Sequence, residues 1–269
     1  HPHVLSRRQA SDVYKRQISN ATASLKVCTK LNVRRIPMEK SFPKLDLVYF
    51  KMRAFTEAIQ MQLCYGKVPY TYHMAWEYFE KSWPEMKQEI GFGQLPILIV
   101  DNKTHIWQSG SIMRYTANLA NTYPTNDEDR GIADAIFESS QELFQPLNAT
   151  INFRVGEEYE TLRKTILSGF EPKIFYFNKY LERDKNGPFF LGKSPAYCDF
   201  GTYHQLSMIR VLEANIFDDW PAINGFLSAI ENLKGVSEYL DGRPELVGIK
   251  EEPKLIIKGK AVATGMMPD

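Results

Sequence analysis

Tyr49 stands where a run of alternating apolar residues gives way to a helical pattern, so its hydroxyl is presented at a strand–helix junction. Further along, three segments carry groups suited to holding a polar ligand: Trp83-Pro84-Glu85-Met86-Lys87, Gly93-Gln94-Leu95-Pro96-Ile97 and Gln108-Ser109-Gly110-Ser111-Ile112. Ser109 falls at the N-cap of a helix, where free N–H groups, a hydroxyl and the positive helix end together make an anion site. The plainer reading is that Ser109 only caps the helix, and both roles are compatible. Lys87 offers an ammonium, although a solvated lysine on a short helix is the ordinary case. Pro96 interrupts a sheet-like run, which is costly unless the proline has a positional role; a trans proline opening an edge strand is the alternative. Read alone, a strand-end tyrosine is usually packing with a wet tip. His73, His105 and His204 show no paired spacing with other ligand types, so no metal site is expected. There is no Gly-rich phosphate loop and no G-x-S-x-G.

The elements that position these groups follow from periodicity. Leu45, Leu47 and Tyr49 alternate with Asp46 and Val48, a short strand with one face buried more strictly than the other. Phe55, Ala58, Ile59, Gln62 and Leu63 then form the stripe of an amphipathic helix, which Gly66 ends. A second strand is expected over Val68–Tyr72 and a helical segment near Pro84–Glu89. Leu95–Val100 and His105–Trp107 read as a hairpin, followed by a helix with Ile112, Tyr115, Thr116 and Leu119 on its apolar face. A linker rich in Asn, Thr, Pro and acids spans about 120–129. Beyond it, Ile132–Leu147, Tyr159–Leu181, Asp199–Leu212 and Ile223–Leu240 read as helices.

The chain has 269 residues, 43% of them apolar, enough for a sizeable core. Residues 1–43 hold nine Lys/Arg and two acids, leaving 24 bases against 30 acids in the rest. That mildly acidic body gives no reason to expect nucleic acid or a membrane as partner. No apolar run approaches the roughly 18–20 residues that span a bilayer. Three scattered cysteines, Cys28, Cys64 and Cys198, speak against a disulfide framework and fit a reducing, cytoplasmic compartment. Residues 1–43 read as a disordered leader or a sequence artefact. Ser6–Gln17 looks like translated adapter sequence, while 18–43 keep the basic, acid-poor character of an organelle-targeting segment.

Together and in order, these motifs resemble the glutathione-binding domain of the soluble glutathione transferases, most closely the sigma class, over roughly residues 44–243. The resemblance implies an α/β plus all-α fold: a thioredoxin-like domain at 44–122, an all-helical domain at 130–243 and an unassigned tail at 244–269. Trp220–Pro244 resembles the family's terminal helix pair. It implies that Tyr49 hydrogen-bonds the glutathione thiolate, lowering a thiol pKa that is ordinarily near 8.5. It further implies that Trp83, Lys87 and Gln94 reach the glycine end of the tripeptide and that Leu95, before a cis Pro96, pairs with its cysteinyl amide. Gln108 and Ser109 would hold the γ-glutamyl carboxylate. A homodimer is implied, with Glu142 reaching the partner's glutathione amine and Arg53 or that acid positioning substrate. Met52, Phe55, Phe144 and Phe153 are candidates for an apolar electrophile pocket, although such residues are more often plain core.

Two departures stand out. Phe55 replaces an arginine that in the sigma class supports the tyrosine and thiolate, and Ala196 replaces the threonine of a capping box that keeps Asp199. The implied activity is conjugation of glutathione to small apolar electrophiles. A glutathione-dependent isomerase or a non-catalytic, structural glutathione binder are the alternatives, and Phe55 favours the last.

Overall fold

A computed structural model describes residues 41–183 and 186–268. The expectations for residues 1–43 fall almost wholly outside these. Phe42, within the expected leader, already packs against the core.

The first strand, β1 (Leu45–Tyr49), is buried at all five positions, not on one face only. It is a central strand: β2 (Thr71–Met74) runs parallel on one side and β3 (Ile97–Val100) antiparallel on the other, with β4 (Thr104–Trp107) beyond β3. Even Asp46 is buried, held by Lys44 and by His73 at 2.9 Å. The second strand starts later than Val68 because Pro69 cannot donate to a ladder.

Between β1 and β2 lies α1 (Glu57–Tyr65). Gln62 on its apolar stripe is fully buried and satisfied: its Nε2 donates to the Met113 carbonyl at 3.0 Å and to Thr116, and Oε1 accepts from Thr122. Two short helices, α2 (Ala75–Phe79) and α3 (Trp83–Met86), precede β3, and α4 (Ser109–Ala120) follows β4.

Six helices follow: α5 (Asp127–Gln141), α6 (Phe144–Phe153), α7 (Gly156–Arg183), α8 (Tyr197–Leu212), α9 (Pro221–Glu231) and α10 (Val236–Gly242). The single helix expected over Ile132–Leu147 is two, because Pro146 cannot donate to the Glu142 carbonyl one turn back. The stretch Ile223–Leu240 is likewise split, at Gly235. Its φ is +86° and a Cβ there would lie 2.5 Å from the Cys64 carbonyl oxygen, so only glycine fits. At the centre, α8 buries every residue but Arg210 and Val211, against α1, α5 and α9. Gly201 permits that approach, since a Cβ would meet the Phe137 ring at 2.6 Å.

The tail expected to be unassigned folds. β5 (Glu245–Val247), β6 (Lys254–Ile257) and β7 (Lys260–Ala263) form an antiparallel meander whose tight turn is Lys258-Gly259, both at positive φ. It is tied at both sides. The Gly156 amide donates to the Lys250 carbonyl and Thr264 Oγ1 donates to that of Asn152, while Gly265 and Lys51 exchange two backbone bonds of 3.1 and 3.2 Å.

Candidate functional site

The end of β1, the turn into β3 and the start of α4 converge on one cleft, a cavity of about 550 Å³. It is lined by Tyr49, Trp83, Lys87, Gln94, Leu95, Pro96, Gln108 and Ser109, which is every position expected to meet glutathione within one chain.

Tyr49 is buried, and its hydroxyl lies 3.9 Å from the Met52 thioether, a weak acceptor. Burial pushes the phenol well above its ordinary pKa, the Phe55 backbone amide working against that, so the side chain is a protonated donor at neutral pH. Phe50 stacks edge-on against Trp83 at 5.0 Å, joining the end of β1 to α3. That helix is fixed at its start by Ser82, which donates to the Glu85 carboxylate from both backbone and hydroxyl. Lys87 follows it, exposed, its stem against Gly93.

The Leu95–Pro96 bond is cis, as expected. The helix α4 begins at Ser109, one residue earlier than a Ser109 N-cap requires: Gln108 is the N-cap, at φ +67°. No side chain caps the helix, so its first amides, which helical geometry leaves without partners inside the helix, face the cleft end. Gln108 Nε2 donates to Gln94 Oε1 at 3.1 Å, coupling two expected ligand contacts.

On the apolar side the residues divide. Met52, Phe55 and Phe153 line the cavity, but Phe144 does not; it is buried beneath Phe55, the rings stacked at 3.6 Å and 17°. Arg53 also points elsewhere, its Nη2 donating to the Pro244 carbonyl at 2.5 Å, which removes it from substrate positioning. Glu142 lies outside the cavity and pairs with Lys173 at 2.8 Å. Gln145 and Asn148, one turn apart on α6, and Met266 from the tail line it without having been foreseen. The α6 pair could have been read from helical spacing; nothing in the sequence signals Met266. Among the described residues, no group of His, Cys, Asp or Glu is placed to hold a metal, and no helix is long and apolar enough to cross a membrane.

Comparison with known proteins agrees with this layout. Residues 45–118 match the model of the glutathione S-transferase N-terminal domain, and 142–243 that of the C-terminal domain. Glutathione S-transferase P 10 of Caenorhabditis elegans is 26% identical over 198 residues, covering 74% of this chain and 91% of the relative. A solved structure of prostaglandin synthase D of Nilaparvata lugens superposes with a TM-score of 0.61 at 24% identity, covering 76% of this chain and all of that one. A glutathione S-transferase of the hookworm Necator americanus, described as monomeric, gives 0.65 at 23% identity, covering 75% and 98%. With an N-terminal sheet domain that gathers one ligand cleft, a helical domain behind it and both family models matched in order, the chain belongs to the glutathione S-transferases, transferases that use glutathione as co-substrate.

Proposed function

We propose that this protein joins the thiolate of glutathione to small apolar electrophiles, with the sulfur at Tyr49. The observation that carries this is the convergence of eight motif positions on one cleft. The uncapped start of α4, with Gln108 and Ser109, receives the γ-glutamyl carboxylate. The Leu95 backbone meets the cysteinyl amide, and Trp83, Lys87 and Gln94 take the glycine carboxylate. That places the sulfur near the Tyr49 hydroxyl, whose present acceptor, the Met52 thioether, is far weaker than a thiolate. The hydroxyl donates without losing its proton, and the thiol proton leaves to solvent. Sulfur then attacks the electrophilic carbon as a leaving group departs, or as the resulting carbanion takes a proton from water. Phe55, Met52 and Phe153 supply an apolar side for the electrophile.

Tyr49→Phe removes one hydrogen bond to a charged acceptor, worth roughly 1.5–3 kcal/mol. Turnover should fall at least about tenfold while glutathione affinity is kept; unchanged turnover would sink the role given to Tyr49. Phe55 favours a second reading, a glutathione binder without catalysis. Retention on immobilised glutathione with no turnover of any electrophile would decide for it.

The proposal extends to domains at 44–122 and 130–243, a cytoplasmic setting and a homodimer in which Glu142 reaches the partner's glutathione. Free Cys64 and Cys198 support a reducing compartment. Two apolar features of opposite shape support the dimer: Phe92, 74% exposed on the turn before β3, and a groove of about 440 Å³ between α5 and α7 lined by Ile132, Ile136, Tyr176, Phe177 and Tyr180.

A further inference from the structure

Behind the first cavity lies a second, of about 320 Å³, within the range of roughly 300–1,000 Å³ usual for small-molecule sites. The two share Phe50 and Met52 as a common wall. The remaining walls are mainly apolar: Tyr72, Leu255 and Ile257. Leu255 and Ile257 belong to β6, beyond residue 243 where the family match ends, so the cavity exists only because the meander folds back over the body.

Charged groups line it too: Lys51, Arg53 and Arg243 with Glu57 and Glu238. The two carboxylates are engaged: Glu57 pairs with Arg243 at 2.5 Å, and Glu238 accepts the Gly235 N–H. Arg53 donates from Nη2 to a neutral carbonyl, and its Nε is buried without a hydrogen-bond partner. A guanidinium has five N–H donors, and partly burying one without its own anion is costly. Burial and the neighbouring Arg243 together depress its pKa, and the attraction of Glu57 and Glu245 does not offset them.

We propose that this second cavity is a binding site for a small amphipathic anion, a medium-chain carboxylate, distinct from the glutathione cleft. The carboxylate head lies against the Arg53 guanidinium and the alkyl chain runs between Tyr72, Leu255 and Ile257. The head gives the Arg53 Nε the hydrogen-bonded anion it lacks, and the chain fills the apolar remainder.

The test is calorimetric titration of the full chain with decanoate, alone and after saturation with S-hexylglutathione, which occupies the first cleft. One decanoate should bind per chain in both cases, and decylamine, with the opposite charge, should not bind. Arg53→Gln should weaken decanoate by at least about tenfold, as loss of a charge-assisted pair implies. Leu255→Trp should fill the cavity and abolish binding while S-hexylglutathione affinity is kept, so the result does not rest on one variant folding. Displacement of decanoate by S-hexylglutathione, equal binding of decylamine, indifference to both substitutions or absence of binding would each overturn the site. Because S-hexylglutathione is scored separately, failure of the glutathione assignment would show as its own lack of binding.

Discussion

Where the resemblance to the sigma class implies an arginine this chain has Phe55, and its contacts show what the ring does. The ring lies flat on Phe144 of the helical half and faces the cleft with its other side. Such a pair contributes about 0.5–1.5 kcal/mol beyond the area it buries. Phe55→Arg therefore has two expected effects. The lost stack lowers the melting temperature, and the cation at the cleft wall lowers the bound thiol's pKa by about 1–3 units if it comes within about 4–6 Å of sulfur. Thiolate absorbance against pH, measured beside a melting curve, separates them. An unchanged thiol pKa with a lower melting temperature would show that Phe55 serves packing alone and would strengthen the non-catalytic reading. The stacked aromatic makes this wall of the cleft apolar, which in the proposed mechanism leaves thiolate stabilisation to Tyr49.

Among the elements, α8 carries two titratable groups of opposite consequence. His204 is fully buried, and burial pushes its pKa down to about 4 from an ordinary 6.5; it holds no proton in the folded state while the unfolded chain takes one up. Its contribution is present above pH 6.5 and is lost as pH falls towards 4, up to about 3 kcal/mol. Asp199, whose carboxyl accepts the Ala196 and Phe190 amides, is raised by burial to about 7 from 3.8, so its contribution is lost as pH rises from about 4 to 7. The two slopes oppose each other between pH 4 and 6.5. In His204→Leu only the Asp199 slope remains, so its melting temperature should drop more between pH 5 and 6.5 than that of the wild type; parallel curves would refute this. The box at the start of α8 is also only half made, since Ala196 has no oxygen to return the bond. Periodicity made much of the fold legible: β1, α1, the β3–β4 hairpin and α4 all follow from spacing and turn residues. It failed where a local rule competed with the pattern. Pro146 and Gly235 break helices whose apolar stripes run through them, and the three- and four-residue strands of the meander are too short to show alternation. For the site, motif order picked out eight residues that the fold gathers along one cleft, but burial beneath Phe55 removed Phe144 and the bond to the Pro244 carbonyl holds Arg53 elsewhere.

At the scale of the whole molecule, the proposed dimer is the open question that the surface answers most directly. Phe92 is 74% exposed, its ring meeting only the edge of Trp107 at 6.0 Å among the described aromatic pairs, and the α5–α7 groove is lined largely by apolar side chains. If Phe92 of one copy seats in that groove of another, Phe92→Ser should shift sedimentation from about twice the 31.0 kDa chain mass to a single chain. A wild-type monomer with full turnover would remove both the dimer and the role given to Glu142.

The backbone ladder between Lys51 and Gly265 bears on motion. The meander is fastened to the helical half through Gly156 and Asn152 and to the sheet half through Lys51, two residues past Tyr49. It acts as a further strap across the cleft, beside the packing of α8 and α10 on α1. Any swing of the two halves wide enough to part the strap must break both Lys51–Gly265 bonds in one event. Their amides should then exchange with solvent deuterium at a common rate, slowed together when glutathione fills the cleft. Those two positions would serve as a built-in gauge of how often the enzyme opens.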